Sequence, residues 1–215
     1  MRFSKSLDDI LKHQSNIKIL RFLVNSRAEL SGREISRQVG LSHPQCHKTL
    51  KELSLQGIVS FRKIGRSLVY KLNDEHYIVT NLLFPLFKQE KLLLRHLAKK
   101  LTDALKTPIT SVILFGSIAK GTEKPDSDID LIVITPDKKS YKKARSNLRE
   151  AEVSTTRKFG NRVSTMLLTA SDFRNKYVHG WPLAKDIREE GKVIYGKNLT
   201  EVIRIGSQKS SHQTS

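Results

Sequence analysis

At 215 residues, with 38% hydrophobic and 28% charged positions, the chain has room for one large or two small domains. A single cysteine, Cys46, excludes an internal disulfide and a cysteine-based zinc site and points to a reducing cytoplasm. The 39 Lys and Arg against 21 Asp and Glu leave +18, an excess that suits polyanions such as DNA, RNA or nucleotides, and neither a signal peptide nor a membrane span is expected.

Three helical segments and a hairpin are predicted first. Ser15 is positioned to cap a helix with an apolar stripe of Ile17, Leu20, Leu23 and Val24. Ser31-Gly-Arg-Glu34 is a capping box that opens a short helix closed by Gly40. Ser42-His-Pro-Gln45 is a second box, with Pro44 in the first turn, where its missing N–H is harmless. The helix it opens keeps Cys46, Leu50 and Leu53 on one face and shows His43, Gln45, His47 and Lys48 on the other. After Gly57 the pattern alternates through Lys63, turns at Gly65-Arg66-Ser67, and alternates again to Leu72, a β-hairpin with a basic tip.

This run resembles the winged helix-turn-helix domains of prokaryotic regulators, with Leu50-Lys-Glu-Leu53 and Gly57-Ile-Val59 matching the end of the recognition helix and the start of the wing. The resemblance implies double-stranded DNA as partner. His43, Gln45, His47 and Lys48 would face base edges or nearby phosphates, and Lys63 and Arg66 would contact the backbone. A winged helix used only as a protein-interaction or dimerisation module is the alternative. From Tyr77 to Lys106 a helical connector is expected, split by Pro85. Its seam of Leu94, Leu97, Leu101 and Leu105 reads as core packing or a homodimer interface.

The next stretch carries the chemistry. Val112-Ile-Leu-Phe-Gly-Ser-Ile-Ala-Lys-Gly121 reads as an apolar strand followed by a Gly-Ser turn opening a helix, and Ser127-Asp-Ile-Asp-Leu-Ile-Val133 reads as a second strand. Asp128 and Asp130 are two apart, so on a strand both point to one face, where they raise each other's pKa unless a cation lies between them. Hard oxygen ligands beside backbone N–H groups suit Mg²⁺ with a polyphosphate. A long helix of about 140–159, a third strand Val163–Thr169, two short helices and a closing strand Gly191–Gly196 follow.

Gly116-Ser117, Gly121 and Asp128-x-Asp130 resemble the signature of the DNA polymerase β-like nucleotidyltransferase superfamily, in its minimal prokaryotic form, over about residues 109–196. The resemblance implies a Mg²⁺-dependent transfer of NMP from a nucleoside triphosphate to a hydroxyl of a protein, RNA or small molecule. Gly116 and Ser117 would bind the nucleotide, and Asp128 and Asp130 would hold the metal and serve catalysis. Active members carry a third carboxylate on the strand after the long helix. Here that strand, Arg162–Leu168, has none, and Ser164 or Thr165 stands in its place. The second reading is therefore a DNA-binding regulator whose transferase-like domain senses nucleotide or mediates assembly. The expected architecture is α+β: a winged helix in 1–75, a connector in 76–107, a mixed sheet flanked by helices in 108–200, and a disordered tail in 201–215.

Overall fold

The computed structural model describes residues 4–208. They divide into two compact units, with the boundary between Leu92 and Leu93.

In the first unit, α1 (Ser6–Ile10) precedes α2 (Gln14–Ser26), α3 (Gly32–Val39) and α4 (His43–Leu55). Strands β1 (Leu30–Ser31), β2 (Val59–Ile64) and β3 (Ser67–Leu72) form an antiparallel sheet in the order β1-β3-β2. Ile19, Leu20 and Leu23 of α2 meet Ile35, Leu50, Leu53, Ile58 and Leu72 in one core. The capping box of α3 is complete: the Ser31 hydroxyl accepts from the Glu34 amide, and Glu34 accepts from the Ser31 amide at 2.9 Å. At α4 only half of a box forms, with Ser42 accepting from the Gln45 amide.

Two expectations change here, and one short strand is added. The cap of α2 is His13, not Ser15, because Ser15 is drawn into the helix and buried, where its hydroxyl accepts from Thr49 at 3.1 Å. The two-residue β1 is too short to leave a periodic signal. The break expected at Pro85 takes the form of a π-helical turn, Val79–Leu83, running into a single α5 (Phe84–Leu105). Proline is tolerated in that first α-helical turn, where its missing donor costs little.

The unit boundary falls inside α5. Phe84 and Phe87 pack with the first core, while Leu97, Ala98, Leu101 and Leu105 pack with the second. The leucine seam is thus core packing.

The second unit holds a mixed sheet in the order β6-β5-β4-β7, made of β4 (Ser111–Phe115), β5 (Ile129–Thr135), β6 (Val163–Thr169) and β7 (Lys192–Gly196). β4 is antiparallel to both neighbours, and β5 is parallel to β6 through the crossover helix α7 (Lys138–Phe159). Alternation sorts β5 cleanly. Ile129, Leu131 and Val133 face Leu101, Ala144 and Leu148, whereas Ile132 and Ile134 face Phe173, Ile187 and Val202. These last come from α8 (Ala170–Val178), α9 (Leu183–Glu189) and α10 (Leu199–Gln208). Thr169 caps α8, its hydroxyl accepting from the Asp172 amide.

Residues 201–208, expected to belong to the disordered tail, form most of α10. Val202 is fully buried, and Leu199 and Ile203 pack beside it, so three apolar residues at helical spacing outweigh the polar ones. Residues 209–215 lie outside the described residues.

Candidate active site

Short α6 (Gly116–Lys120) follows β4 directly, and its cap residue, Phe115, has no side-chain oxygen to offer the first-turn amides. Those donors are therefore available to an external anion. Gly116 turns the chain at φ +75°. A β-carbon there would stand 2.5 Å from Oδ2 of Asp130, so only glycine lets the backbone lie this close to the carboxylate.

Asp130 is the second residue of β5, opposite Phe115 on β4, and two residues before Ile132 on the same face of the sheet. Asp128 lies just before the strand. Partial burial pushes the Asp130 carboxyl above the ordinary carboxylate range, and the charge of Asp128 pushes it further the same way. Asp128 has a distant cation, Nη1 of Arg162, at 3.9 Å. The loop before it is pinned by Asn161, whose amide donates to the carbonyls of Pro125 and Ser127 at 2.9 and 3.0 Å. The Ile129 amide in turn donates to the Arg162 carbonyl at 2.8 Å. Asn161 and Arg162 carried no signal in the sequence, because they lie more than thirty residues from the groups they hold.

Register separates the two hydroxyl candidates on β6. Ser164 is the partner of Asp130, exposed and on its face. Thr165 pairs with Leu131 on the other face, where its amide donates to Glu152 at 2.9 Å. Other acids are committed elsewhere or stay outside. Asp172 accepts from the Thr169 hydroxyl at 2.6 Å, and Glu123 and Asp126 are exposed on the loop. Among the described residues no group of three or more His, Cys, Asp or Glu is gathered for a metal. Lys120 faces Asp186 and Glu190 of the α9 region at 3.8 and 3.4 Å.

In the first unit His43, Gln45, His47 and Lys48 all lie exposed on α4, with the two imidazoles 6.4 Å apart. Lys63 and Arg66 lie exposed at the hairpin tip. Gly65, at φ +59°, starts the two-residue loop that leaves Ile64 paired with Ser67. Cys46 is fully buried, and burial pushes its thiol up to about 11, so it is a packing residue.

Two family models match. Residues 94–195 match the nucleotidyltransferase domain, and residues 13–60 match the winged helix-turn-helix DNA-binding domain. The chain joins a winged helix-turn-helix domain to a nucleotidyltransferase domain. Gly116, Ser117, Asp128 and Asp130 all lie within the matched nucleotidyltransferase segment, and His43, Gln45, His47 and Lys48 within the winged-helix segment. No curated protein matches the chain.

Solved structures similar to parts of it include HlyU from Vibrio cholerae N16961, at 23% identity and TM-score 0.34, covering 41% of this chain and 87% of that one. The homodimeric winged-helix fragment of Mb0332 from Mycobacterium bovis, a possible ArsR-family regulator, is 19% identical at TM-score 0.33, covering 44% and 81%. A toxin–antitoxin structure with AMP-PNP is 18% identical at TM-score 0.35, covering 55% and 84%. No helix among the described residues is long and apolar enough to cross a membrane.

Proposed function

We propose that the C-terminal domain binds a nucleoside triphosphate and transfers its NMP moiety to an acceptor hydroxyl, while the winged helix holds the chain on duplex DNA. The observation that carries this reading is the approach of the Asp130 carboxylate to Gly116, within a domain of the nucleotidyltransferase type. It sets an acidic pair beside backbone donors that lack a side-chain cap.

The donor set fits Mg²⁺. Among the described residues no third acid joins the two carboxylates, which leaves coordination positions for water and phosphate oxygens, as magnesium prefers. Burial first, and the charge of Asp128 second, raise the Asp130 carboxyl, and a dication held by the pair would favour its ionised form. Asp128 and Asp130 would hold the ion, which when bound supplies neutralising charge on the phosphates. Amides of Gly116 and Ser117, with the Ser117 hydroxyl, orient the β- and γ-phosphates. The acceptor oxygen then bonds to the α-phosphorus as the bond from that phosphorus to the pyrophosphate oxygen breaks, pyrophosphate leaves, and the hydroxyl proton passes to water.

One observation favours a second reading. Ser164, a neutral hydroxyl, is the β6 partner of Asp130, so the group that would accept the acceptor's proton is not a carboxylate. On that reading the domain binds nucleotide without turnover, and occupancy regulates DNA binding. Purified protein incubated with α-³²P-labelled NTP and Mg²⁺ separates the two. Label transfer that disappears in Asp128→Asn/Asp130→Asn supports the enzyme. Absence of transfer, with nucleotide changing DNA affinity, supports the regulator.

A further inference from the structure

The solvent face of α7 carries six cations over its N-terminal half: Lys138, Lys139, Lys142, Lys143, Arg145 and Arg149. All six are exposed, and among the described residues none has a carboxylate within ion-pair distance. At 100° per residue, Lys138, Lys142, Arg145 and Arg149 fall within about 60° of arc and run for about 17 Å along the axis.

Helix stability does not explain the pattern. Lys138/Lys142, Lys139/Lys143 and Arg145/Arg149 are like charges at i,i+4, which repel. The N-terminus already has its carboxylate in the cap residue Asp137, which accepts from the Ser140 amide at 2.8 Å, and the lysines that follow it sit at the positive end of the helix dipole, where cations add nothing to helix stability. Nor does packing require them, because α7 is anchored through Ala144, Leu148, Ala151 and Thr155 on its buried face. The stripe is also separate from the acidic pair. Asp130 shares a face of the sheet with Ile132, whereas α7 packs through Ala144 and Leu148 against the opposite face, that of Leu131 and Val133.

We infer that this stripe is a second nucleic-acid contact, which grips the phosphate backbone of the duplex bound by the winged helix. This rests on the DNA-binding reading given above. An array of free cations about 17 Å long covers a length of duplex axis that carries about ten phosphates, one per about 1.7 Å with both strands counted. Tethering to a DNA-binding domain makes the second contact intramolecular, which raises affinity without sequence readout.

The test is the salt dependence of full-length protein binding to a long random-sequence duplex, read by fluorescence anisotropy. Wild type is compared with Lys138→Gln/Lys142→Gln/Arg145→Gln/Arg149→Gln, with Lys138→Arg/Lys142→Arg, and with Lys48→Ala/Arg66→Ala. Loss of four phosphate contacts lowers the slope of log K against log salt by up to about 3.6, at 0.9 per contact. The arginine variant keeps the wild-type slope, and the glutamine variant keeps its Mg²⁺·NTP-induced rise in melting temperature, which excludes misfolding.

A glutamine variant that is folded and retains the wild-type slope overturns the inference, while DNA binding that still depends on Lys48 and Arg66 leaves the winged-helix reading intact. A wild type that ignores duplex at low salt removes both. Loss of retention on polyglutamate with an unchanged DNA slope would assign the stripe to an acidic protein instead, against the inference.

Discussion

Oδ2 of Asp130 lies 2.5 Å from the point where a β-carbon on residue 116 would stand. Gly116→Ala therefore meets two obstacles, a collision with the carboxylate and a φ of +75° that alanine avoids. We expect a loss of about 1–3 kcal/mol in stability, read from denaturant unfolding, and weaker Mg²⁺·NTP binding by isothermal titration. A variant that kept both stability and affinity would show that the close approach is incidental.

The acidic pair makes the metal-free protein pH-sensitive. Burial and then Asp128 raise the Asp130 carboxyl in the folded state, so the folded chain holds this proton more tightly than the unfolded chain. Stability from this group is fully present below its unfolded pKa of about 3.9 and falls as pH rises through the elevated folded value. Asp130→Asn should remove that decline and give a higher melting temperature at neutral pH without metal. An Asn variant that melts lower than wild type at pH 7 in EDTA would mean that the ionised carboxylate is stabilising.

Asn161 is expected to matter without touching a ligand. Its amide closes the loop ahead of Asp128 through two carbonyls. Asn161→Ala should cost about 1–3 kcal/mol for two lost bonds, and should weaken Mg²⁺·NTP binding less than loss of either aspartate does. An affinity loss equal to that of Asp128→Asn would place Asn161 in the binding site itself.

DNA binding should depend on the exposed cations of α4 and the wing tip. Lys48→Ala or Arg66→Ala should weaken binding across sequences and lower the salt slope by about 0.9 each. Gln45→Ala should change sequence preference more than overall affinity. Competition assays against a randomised duplex pool separate these effects, and a Gln45 variant with unchanged preference would remove it from base readout.

Much of this arrangement was legible because it is local. The capping box at Ser31, the Gly65 turn and the alternation through β5 each declare themselves within a few residues. The Gly116-Ser117 turn and the two aspartates were visible for the same reason. What was hidden depends on distant pairings. Only the parallel register of β5 and β6 sets Ser164, rather than Thr165, beside Asp130, and only tertiary packing buries Ser15 or draws Val202 into a helix. The partners of Lys120 were hidden in the same way, because Asp186 and Glu190, which it faces, lie more than sixty residues away.

The nucleotide site itself is tested most directly by the melting temperature with and without Mg²⁺ and a nucleoside triphosphate. At a hundred times Kd the ligand contributes about 2.7 kcal/mol to the folded state, which amounts to a shift of several degrees. The wild type should show that rise, neither Mg²⁺ nor nucleotide alone should reproduce it in full, and Asp128→Asn/Asp130→Asn should abolish it in a protein that still folds. A rise of the same size in the double variant would contradict the assignment of Asp128 and Asp130 as the metal site.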